Sequence, residues 1–396
     1  MKKNIIIYIT FDGLSDPLGK SQILPYLERI KFNYNLKIFS LEKKKPKKKI
    51  LFKSNINCHY LIFEKNKNKL LKIINYVNFL RFILLTCKNY NVKIIHCRGY
   101  PSALIGIVIK LIKKSSLIYD MRGFWVDEKK DSLTLNLEKL KDRIIFYTLK
   151  KFEKIIIKKS DFIVVLTNKA KYFVNKNFNY KNKNISVIPC SVNYAQFNFK
   201  KYYSLNKFTY SKLSLKPNQK ILVYVGSYGE YYMSNEVLNI YFNIKKKIKN
   251  FSLLIITNNK AEFKNLITKF NDKKDIRVIN LDWKKIPEYL SVCNLAISLI
   301  KPTFAKIAST PTKISEGLAM GLPIISNKNI GDLDDMIKLN KLGCLVDLNK
   351  INHITTLRKL LDLFNLKKID IRKRSRKYFD IEYTVKRYNK IYESLF

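Results

Sequence analysis

The chain has 396 residues, 47% of them hydrophobic, with 77 Lys and Arg against 30 Asp and Glu and a formal net charge of +47. That length and apolar content suit two or more domains of ordinary size and exclude a disordered chain. Transmembrane character is excluded too, because spanning a bilayer takes roughly 20 apolar residues and the best run, Ala103 to Ile109, stops at Lys110.

Such a basic balance would ordinarily make nucleic acid or an anionic membrane the leading partner. Here the lysines are spread through nearly every segment among abundant Asn, Ile, Tyr and Phe, so the charge marks no nucleic-acid site. A denser run, Glu42 to Lys49, falls in an expected loop. Together with the lysines around Lys65 to Lys72 it reads either as contact with an anionic inner-membrane surface or as a solvated loop. Met1-Lys2-Lys3 ahead of Ile5 to Phe11 looks superficially like a signal peptide, but the apolar part is short, Asp12 follows it and no small-residue cleavage site appears. The segment reads as the first strand of a cytoplasmic protein. Cys58, Cys87, Cys97, Cys190, Cys293 and Cys344 show no C-x-x-C pair and no metal-ligand spacing, so free thiols and no metal site are expected.

In chain order, strands are expected at Asn4 to Phe11, Leu36 to Leu41, Cys58 to Phe63, Val92 to Cys97, Leu117 to Met121, Asp161 to Leu166 and Ile185 to Pro189. Helical patterns lie between them at Gly19 to Phe32, Leu70 to Cys87, Ser102 to Ile112 and Leu137 to Lys158. From Tyr194 to Pro217 the periodicity fades into a polar, aromatic-rich linker. A second series of strands follows at Lys220 to Val225, Leu253 to Thr257, Ile276 to Asn280, Leu295 to Leu299, Leu322 to Ser326 and Gly343 to Val346, and Ile354 to Phe396 is helical. This alternation is the signature of an α/β protein. The expected architecture is two doubly wound, Rossmann-like domains, residues 1–200 and 201–375, facing a cleft lined by the loops at the carboxyl ends of the strands. A last helix, 376–396, is expected to pack back on the first domain.

The first strand leads into Asp12-Gly13-Leu14-Ser15-Asp16-Pro17-Leu18-Gly19-Lys20-Ser21-Gln22. Its glycines let the backbone approach a ligand at a helix N-terminus, or they serve a tight turn. The pattern is neither G-x-G-x-x-G nor a Walker loop, which disfavours a nicotinamide cofactor or a phosphate-loop hydrolase. Two strands end in His96-Cys97-Arg98-Gly99-Tyr100 and in Asp120-Met121-Arg122-Gly123-Phe124-Trp125-Val126-Asp127-Glu128, where a doubly wound sheet binds its ligand. A histidine there is readily structural, whereas charges at strand ends are rarely buried without a partner. Ser309 to Pro323 reads as a helix capped by Thr310 or Thr312 and ended by Gly321. Its N-terminus and Lys313 suit a phosphate, and Glu316, one turn on, could accept from the hydroxyls of a ribose. A capped helix with a solvated Lys and Glu fits the same residues.

With these motifs in this order, the chain resembles a family 4 retaining glycosyltransferase of the GT-B fold, in particular the bacterial surface-polysaccharide branch. The resemblance rests on Asp12 to Gln22, Asp120 to Glu128, Ile188 to Val192, Pro311 to Pro323, Val225 to Gly229 and Gly331-Asp332. It implies metal-independent transfer, without a cofactor, from a UDP- or GDP-linked sugar to a glycan or glycolipid acceptor. Glu316, Lys313, Thr312, Gly226, Ser227 and Gly19 are then the donor-binding residues, and Asp120, Arg122 and Lys313 the catalytic ones. Asp16, His96, Arg98, Trp125, Asp127 and Glu128 fall on the acceptor side, and the loop Asn280 to Trp283 on the base. Two departures stand out. Ala308 occupies the place of the first of the family's two glutamates, and the usual Arg and Lys are missing from Gly226 to Tyr232, which leaves Arg122, Lys313, Lys306 or Lys301 to neutralise the diphosphate. Rival readings are a non-catalytic basic protein binding nucleic acid or membrane, and a sugar-nucleotide epimerase or phosphorylase relative of the same architecture.

Overall fold

The structure is a computed structural model that describes residues 2–32, 34–46, 56–63, 69–178, 184–217, 219–350 and 354–395. Lys47 to Lys49, Lys65 and Lys67 of the two lysine runs lie outside the described residues, as do the side chains of Lys69 and Lys72. The chain divides into two compact units. The first comprises Met1–Pro189, Phe304–Ser309 and Glu382–Phe396, the second Cys190–Thr303 and Thr310–Ile381.

Unit 1 is built on seven parallel strands: β1 (Lys3–Thr10), β2 (Asn35–Glu42), β3 (Ile56–Ile62), β4 (Tyr90–Arg98), β5 (Ser116–Asp120), β6 (Phe162–Val165) and β7 (Ile185–Val187). Their order is β3-β2-β1-β4-β5-β6-β7, so the winding reverses between β1 and β4. β1 carries four isoleucines and is buried from Ile5 onward, as a strand covered on both faces must be. The helices between the strands are α1 (Pro17–Gln22), α2 (Leu24–Leu27), α3 (Lys69–Thr86), α4 (Tyr100–Lys113), α5 (Trp125–Asp131), α6 (Leu140–Lys159) and α7 (Asn168–Phe178). The single helix expected over Gly19 to Phe32 is in fact the pair α1 and α2. Pro25 lacks the N–H that would continue the ladder, and the chain turns at Ile23.

Unit 2 has six parallel strands: β8 (Lys220–Val225), β9 (Phe251–Ile256), β10 (Ile276–Ile279), β11 (Leu295–Ser298), β12 (Ile324–Asn327) and β13 (Gly343–Val346). Their order, β10-β9-β8-β11-β12-β13, is the doubly wound dinucleotide-fold arrangement, with its switch point between β8 and β11. The helices are α8 (Asn206–Lys212), α9 (Ser234–Lys245), α10 (Lys260–Ile267), α11 (Ile286–Ser291), α12 (Thr312–Ala319), α13 (Leu333–Asn340), α14 (Ile354–Asp362) and α15 (Lys368–Phe379). Helix α16 (Ile381–Glu393) then places its residues from Glu382 onward in unit 1. The expected linker, Tyr194 to Pro217, is part of unit 2: Tyr194, Phe197, Leu213 and Leu215 are buried in its core, and α8 lies within the stretch. The division therefore falls after Pro189 and not at residue 200. Aromatic content, which looked like a break in periodicity, is here core material.

Helix α12 is fixed from both ends. Gly317 faces the sheet so closely that a Cβ would meet Ala296 Cβ at 3.2 Å and Ile324 Cδ1 at 3.1 Å. At the C-terminus Gly321 turns the chain at φ +73°, and a Cβ there would lie 2.4 Å from the Lys368 carbonyl oxygen of α15. The guanidinium of Arg372, also on α15, donates to the carbonyls of Ala319 and Phe197 and, at 2.6 Å, of Tyr194. A cation at a helix C-terminus satisfies its orphan carbonyls and opposes its dipole. Gly321→Ala should therefore cost at least about 1 kcal/mol from the left-handed backbone alone. The check is the urea midpoint at constant slope; an unchanged midpoint would refute the backbone cost at this position.

Candidate active site

The parallel register of unit 1 assembles a buried polar cluster at the carboxyl ends of β1, β4 and β5. Tyr8 pairs in register with His96, Thr10 with Arg98, and Arg98 with Asp120. Asp120 is 1% exposed. Its Oδ1 lies 3.4 Å from Arg122 Nη1, and its Oδ2 lies 3.6 Å from both Arg98 Nη1 and His96 Nε2. Burial alone would raise the Asp120 carboxyl, but Arg122, the His96 ring and Arg98 together outweigh it and hold the group well below the usual carboxylate range. Asp120 is thus favoured as an anion and suited to orient the cations around it. Arg98 in turn reaches Asp12, after β1, at 3.3 Å. His96 is driven below its ordinary value chiefly by burial, which exceeds the upward pull of Asp120.

The structure thus brings together Asp120, Arg122, His96 and Arg98 from among the expected site residues. Others are engaged elsewhere in the unit. Asp127 is buried against Lys150 Nζ at 2.8 Å, and Lys150 also pairs with the buried Glu153. Trp125 stacks on Tyr100 with ring centroids 4.7 Å apart, while Lys129 covers the indole. Glu128 takes a 3.1 Å ion pair from Lys306. Asp16 pairs with Lys43. Gly19 is required by the loop itself, since a Cβ there would fall 2.2 Å from the Gly13 carbonyl oxygen. Asp127, Lys306 and Asp16 are accordingly held in ion pairs that organise unit 1.

Segment 304–309 packs into unit 1 as well. Ala305 and Ala308 are buried in its core, Phe304 stacks on Phe124, and Thr167 donates 2.7 Å to the Ile307 carbonyl. The alanine where the family resemblance would place a glutamate is therefore a packing residue, since a carboxylate buried there would need a partner. Glu42 carries no signal of this kind in the sequence beyond being an acid beside a lysine run. It is fully buried and accepts from Leu14 N at 2.7 Å, Ser15 N at 3.2 Å and Ser40 Oγ at 2.9 Å, so it shapes the loop after β1.

In unit 2 the helix following β11 carries the second cluster. Glu316 is 2% exposed; its Oε1 accepts 3.0 Å from Trp283 Nε1 and its Oε2 accepts 3.1 Å from Lys313 Nζ. Each carboxylate oxygen has a second lone pair, so the group can still accept from hydroxyl donors. Lys313 keeps 35% of its side chain exposed. The N-cap residue is neither Thr310 nor Thr312 but Pro311, which has no side-chain bond to offer, and Thr312 lies already inside the helix. The loop after β8 turns on Gly226, whose missing Cβ makes room for the Tyr224 hydroxyl, and that hydroxyl donates 2.6 Å to the Ser227 carbonyl.

Residues 207–378 match the family described as Glycosyl transferases group 1. Unit 2 thus carries a glycosyltransferase domain, and the protein is an enzyme of the glycosyltransferase class. Its two doubly wound units are the GT-B fold, shared over 99% of both chains with sucrose-phosphate synthase from Thermosynechococcus elongatus at a TM-score of 0.73 and 15% identity. Anabaena HepE, solved with UDP-glucose, matches over 99% of both chains at 0.69 and 12%. WaaG, a glycosyltransferase involved in lipopolysaccharide biosynthesis, matches over 98% of both at 0.66 and 14%. No curated protein matches the sequence.

The buried histidine makes a pH prediction. The folded pKa of His96 lies below its unfolded value, about 6.5, so the unfolded chain takes up the proton first as pH falls. Stability from this group is complete above that unfolded value and declines below it. The melting temperature should fall from pH 7 to pH 5, and His96→Gln should flatten that slope. An identical slope in the variant would refute the assignment.

Proposed function

We propose that the protein is a retaining, metal-independent glycosyltransferase of family 4 that moves a sugar from a nucleotide-diphospho-sugar to a lipid-linked glycan in bacterial surface-polysaccharide synthesis. The observation that carries this reading is Glu316, buried one turn inside α12 and fixed from both sides by Trp283 and Lys313. A carboxylate held in place presents its remaining lone pairs to the adjacent hydroxyls of a ribose, and its Lys313 neighbour lies in the first turn of α12, at the helix end that suits a diphosphate. When a sugar leaves a diphosphate, positive charge grows on the sugar and negative charge on the leaving phosphate. Lys313 and the N-terminal dipole of α12 are the groups of unit 2 assigned to that negative charge. In unit 1, Arg122, oriented by Asp120, is the cation assigned a catalytic role. The UDP-glucose complex of HepE and the lipopolysaccharide role of WaaG support the donor and acceptor classes.

Glu316→Ala should weaken donor binding about 100-fold, because it removes hydrogen bonds to a charged acceptor and strands Trp283 and Lys313. Calorimetry with UDP- and GDP-sugars measures it, and unchanged affinity would sink the donor site. Arg122→Ala and Lys313→Ala should each lower kcat by about 100-fold with donor KM little changed, the pattern of interactions that strengthen in the transition state. A change confined to KM would assign them to ground-state binding.

A peripheral membrane location has its own support. No helix among the described residues is long and apolar enough to cross a membrane. Yet α4 packs between α3 and α6 in unit 1, and this layer leaves Ile73, Val77, Leu85, Leu111, Ile112 and Ile144 more than half exposed. Neither α3 nor α4 contains an acidic residue. Apolar side chains among lysines suit the interface of an anionic bilayer. Leu111→Glu with Ile112→Glu should abolish sedimentation with phosphatidylglycerol vesicles and leave transfer to a soluble acceptor intact; undiminished sedimentation would exclude this face.

A further inference from the structure

Helix α16 brings two phenols to the polar cluster of unit 1. Tyr388 and Tyr392 stand one turn apart, 4% and 1% exposed. The Tyr388 hydroxyl donates 3.2 Å to Asp120 Oδ2, and the Tyr392 hydroxyl lies 2.7 Å from His96 Nδ1. Their rings also pack on the histidine, at 5.6 and 5.9 Å between centroids. A phenylalanine would fill either position as well, so the hydroxyls mark the bonds as the purpose of these side chains.

Those bonds settle the state of the ring between them. Asp120 is ionised and can only accept, and His96 Nε2 is 3.6 Å from its Oδ2 with no hydrogen-bond partner among the described residues. The proton of the neutral ring is therefore best placed on Nε2, facing the carboxylate, which leaves Nδ1 to accept from Tyr392. Burial raises both phenols well above the ordinary tyrosine value, so each keeps the proton it donates. Among the described residues, the charged and titratable groups that interact with Asp120 are, by element, Tyr8 from β1, His96 and Arg98 from β4, Tyr119 from β5, Arg122 after β5, and Tyr388 and Tyr392 from α16, with Asp12 behind Arg98.

We infer that α16 is a positioning element for the transfer reaction: Tyr388 and Tyr392 fix Asp120 and the tautomer of His96, and Asp120 thereby holds Arg122 in the orientation that its catalytic role requires. The inference rests on the assignment of Arg122 made above. Tyr388 and Tyr392 touch no reacting atom. They act through Asp120 and His96, in the way that outer groups orient a histidine whose far nitrogen is engaged.

The test uses the full chain with Tyr388→Phe, Tyr392→Phe and Val385→Ala, the last removing buried bulk from α16 without touching a phenol. The sequence holds three histidines, so 15N-histidine spectra resolve His96 without donor or acceptor present. Tyr392→Phe should turn a single Nε2-protonated ring into a tautomer mixture. Tyr388→Phe should lower kcat about tenfold, as for one lost bond to a charged group, with donor KM within about twofold. Val385→Ala should lower the melting temperature and change neither the spectrum nor kcat. Wild-type kcat in Tyr388→Phe with an unaltered His96 signal in Tyr392→Phe overturns the inference, as does a Val385→Ala variant that reproduces both losses. The two levels separate: an Arg122→Ala enzyme as active as wild type removes the assignment of Arg122 and this inference with it, whereas an inactive Arg122→Ala beside a fully active Tyr388→Phe removes the positioning role alone.

Discussion

A carboxylate with 1% of its surface accessible has to be neutralised where it stands, and in unit 1 that requirement falls on Asp120. Its partners come from β4, from the chain just after β5 and from α16, elements far apart in sequence. Parallel register supplies the first of them without further cost, because pairing β4 with β5 sets Arg98 beside Asp120. The others have to be delivered by folding. Breaking such a cluster by removing one member strands a buried charge, so its geometry is held far more tightly than that of an exposed ion pair. The cluster stands at the reversal of strand order, where the loop after β1 and the end of β4 diverge, and Arg122 is the member that follows β5.

Unit 2 answers the same problem with fewer parts. Glu316 is nearly as buried, but an indole N–H and one lysine satisfy it, and the lysine remains partly in water. The two clusters therefore differ in stiffness. The Asp120 group is almost wholly enclosed by protein, while the Glu316 group keeps one partly exposed cation.

The sheets were largely readable in the sequence because strands buried on both faces appear as short runs of Ile, Val and Leu; β8 and β13 fall where the pattern puts them. Helix α12 was readable locally too, through its terminator Gly321, although its N-cap is Pro311 and not the expected Thr310 or Thr312. What was hidden is tertiary. Nothing near Tyr388 or Tyr392 tells that pair apart from an ordinary apolar stripe at i, i+4 spacing, since their partners lie 268 and 296 positions away. Trp283, one of two tryptophans in the chain, drew notice as part of a loop, but its bond to Glu316 depends on how β10 and α12 are stacked. The aromatic stretch after Tyr194 misled for a related reason: irregular backbone hides a core segment from any test of periodicity.

Neither compact unit is one unbroken length of chain, and this has a consequence for how the protein is made. All seven strands of unit 1 have been synthesised by Pro189, yet its remaining pieces, 304–309 and 382–396, come only after most of unit 2. At a ribosomal rate of about 5 to 20 residues per second, roughly 10 to 40 s separate the seventh strand from helix α16. During that interval Asp120 and His96 lack their phenols, and the core of unit 1 lacks Ala305 and Ala308. Unit 1 is thus a body whose first part must wait for its last, and the wait is a period in which chaperones and proteases compete for it. The same helix that completes the polar cluster decides when unit 1 can close.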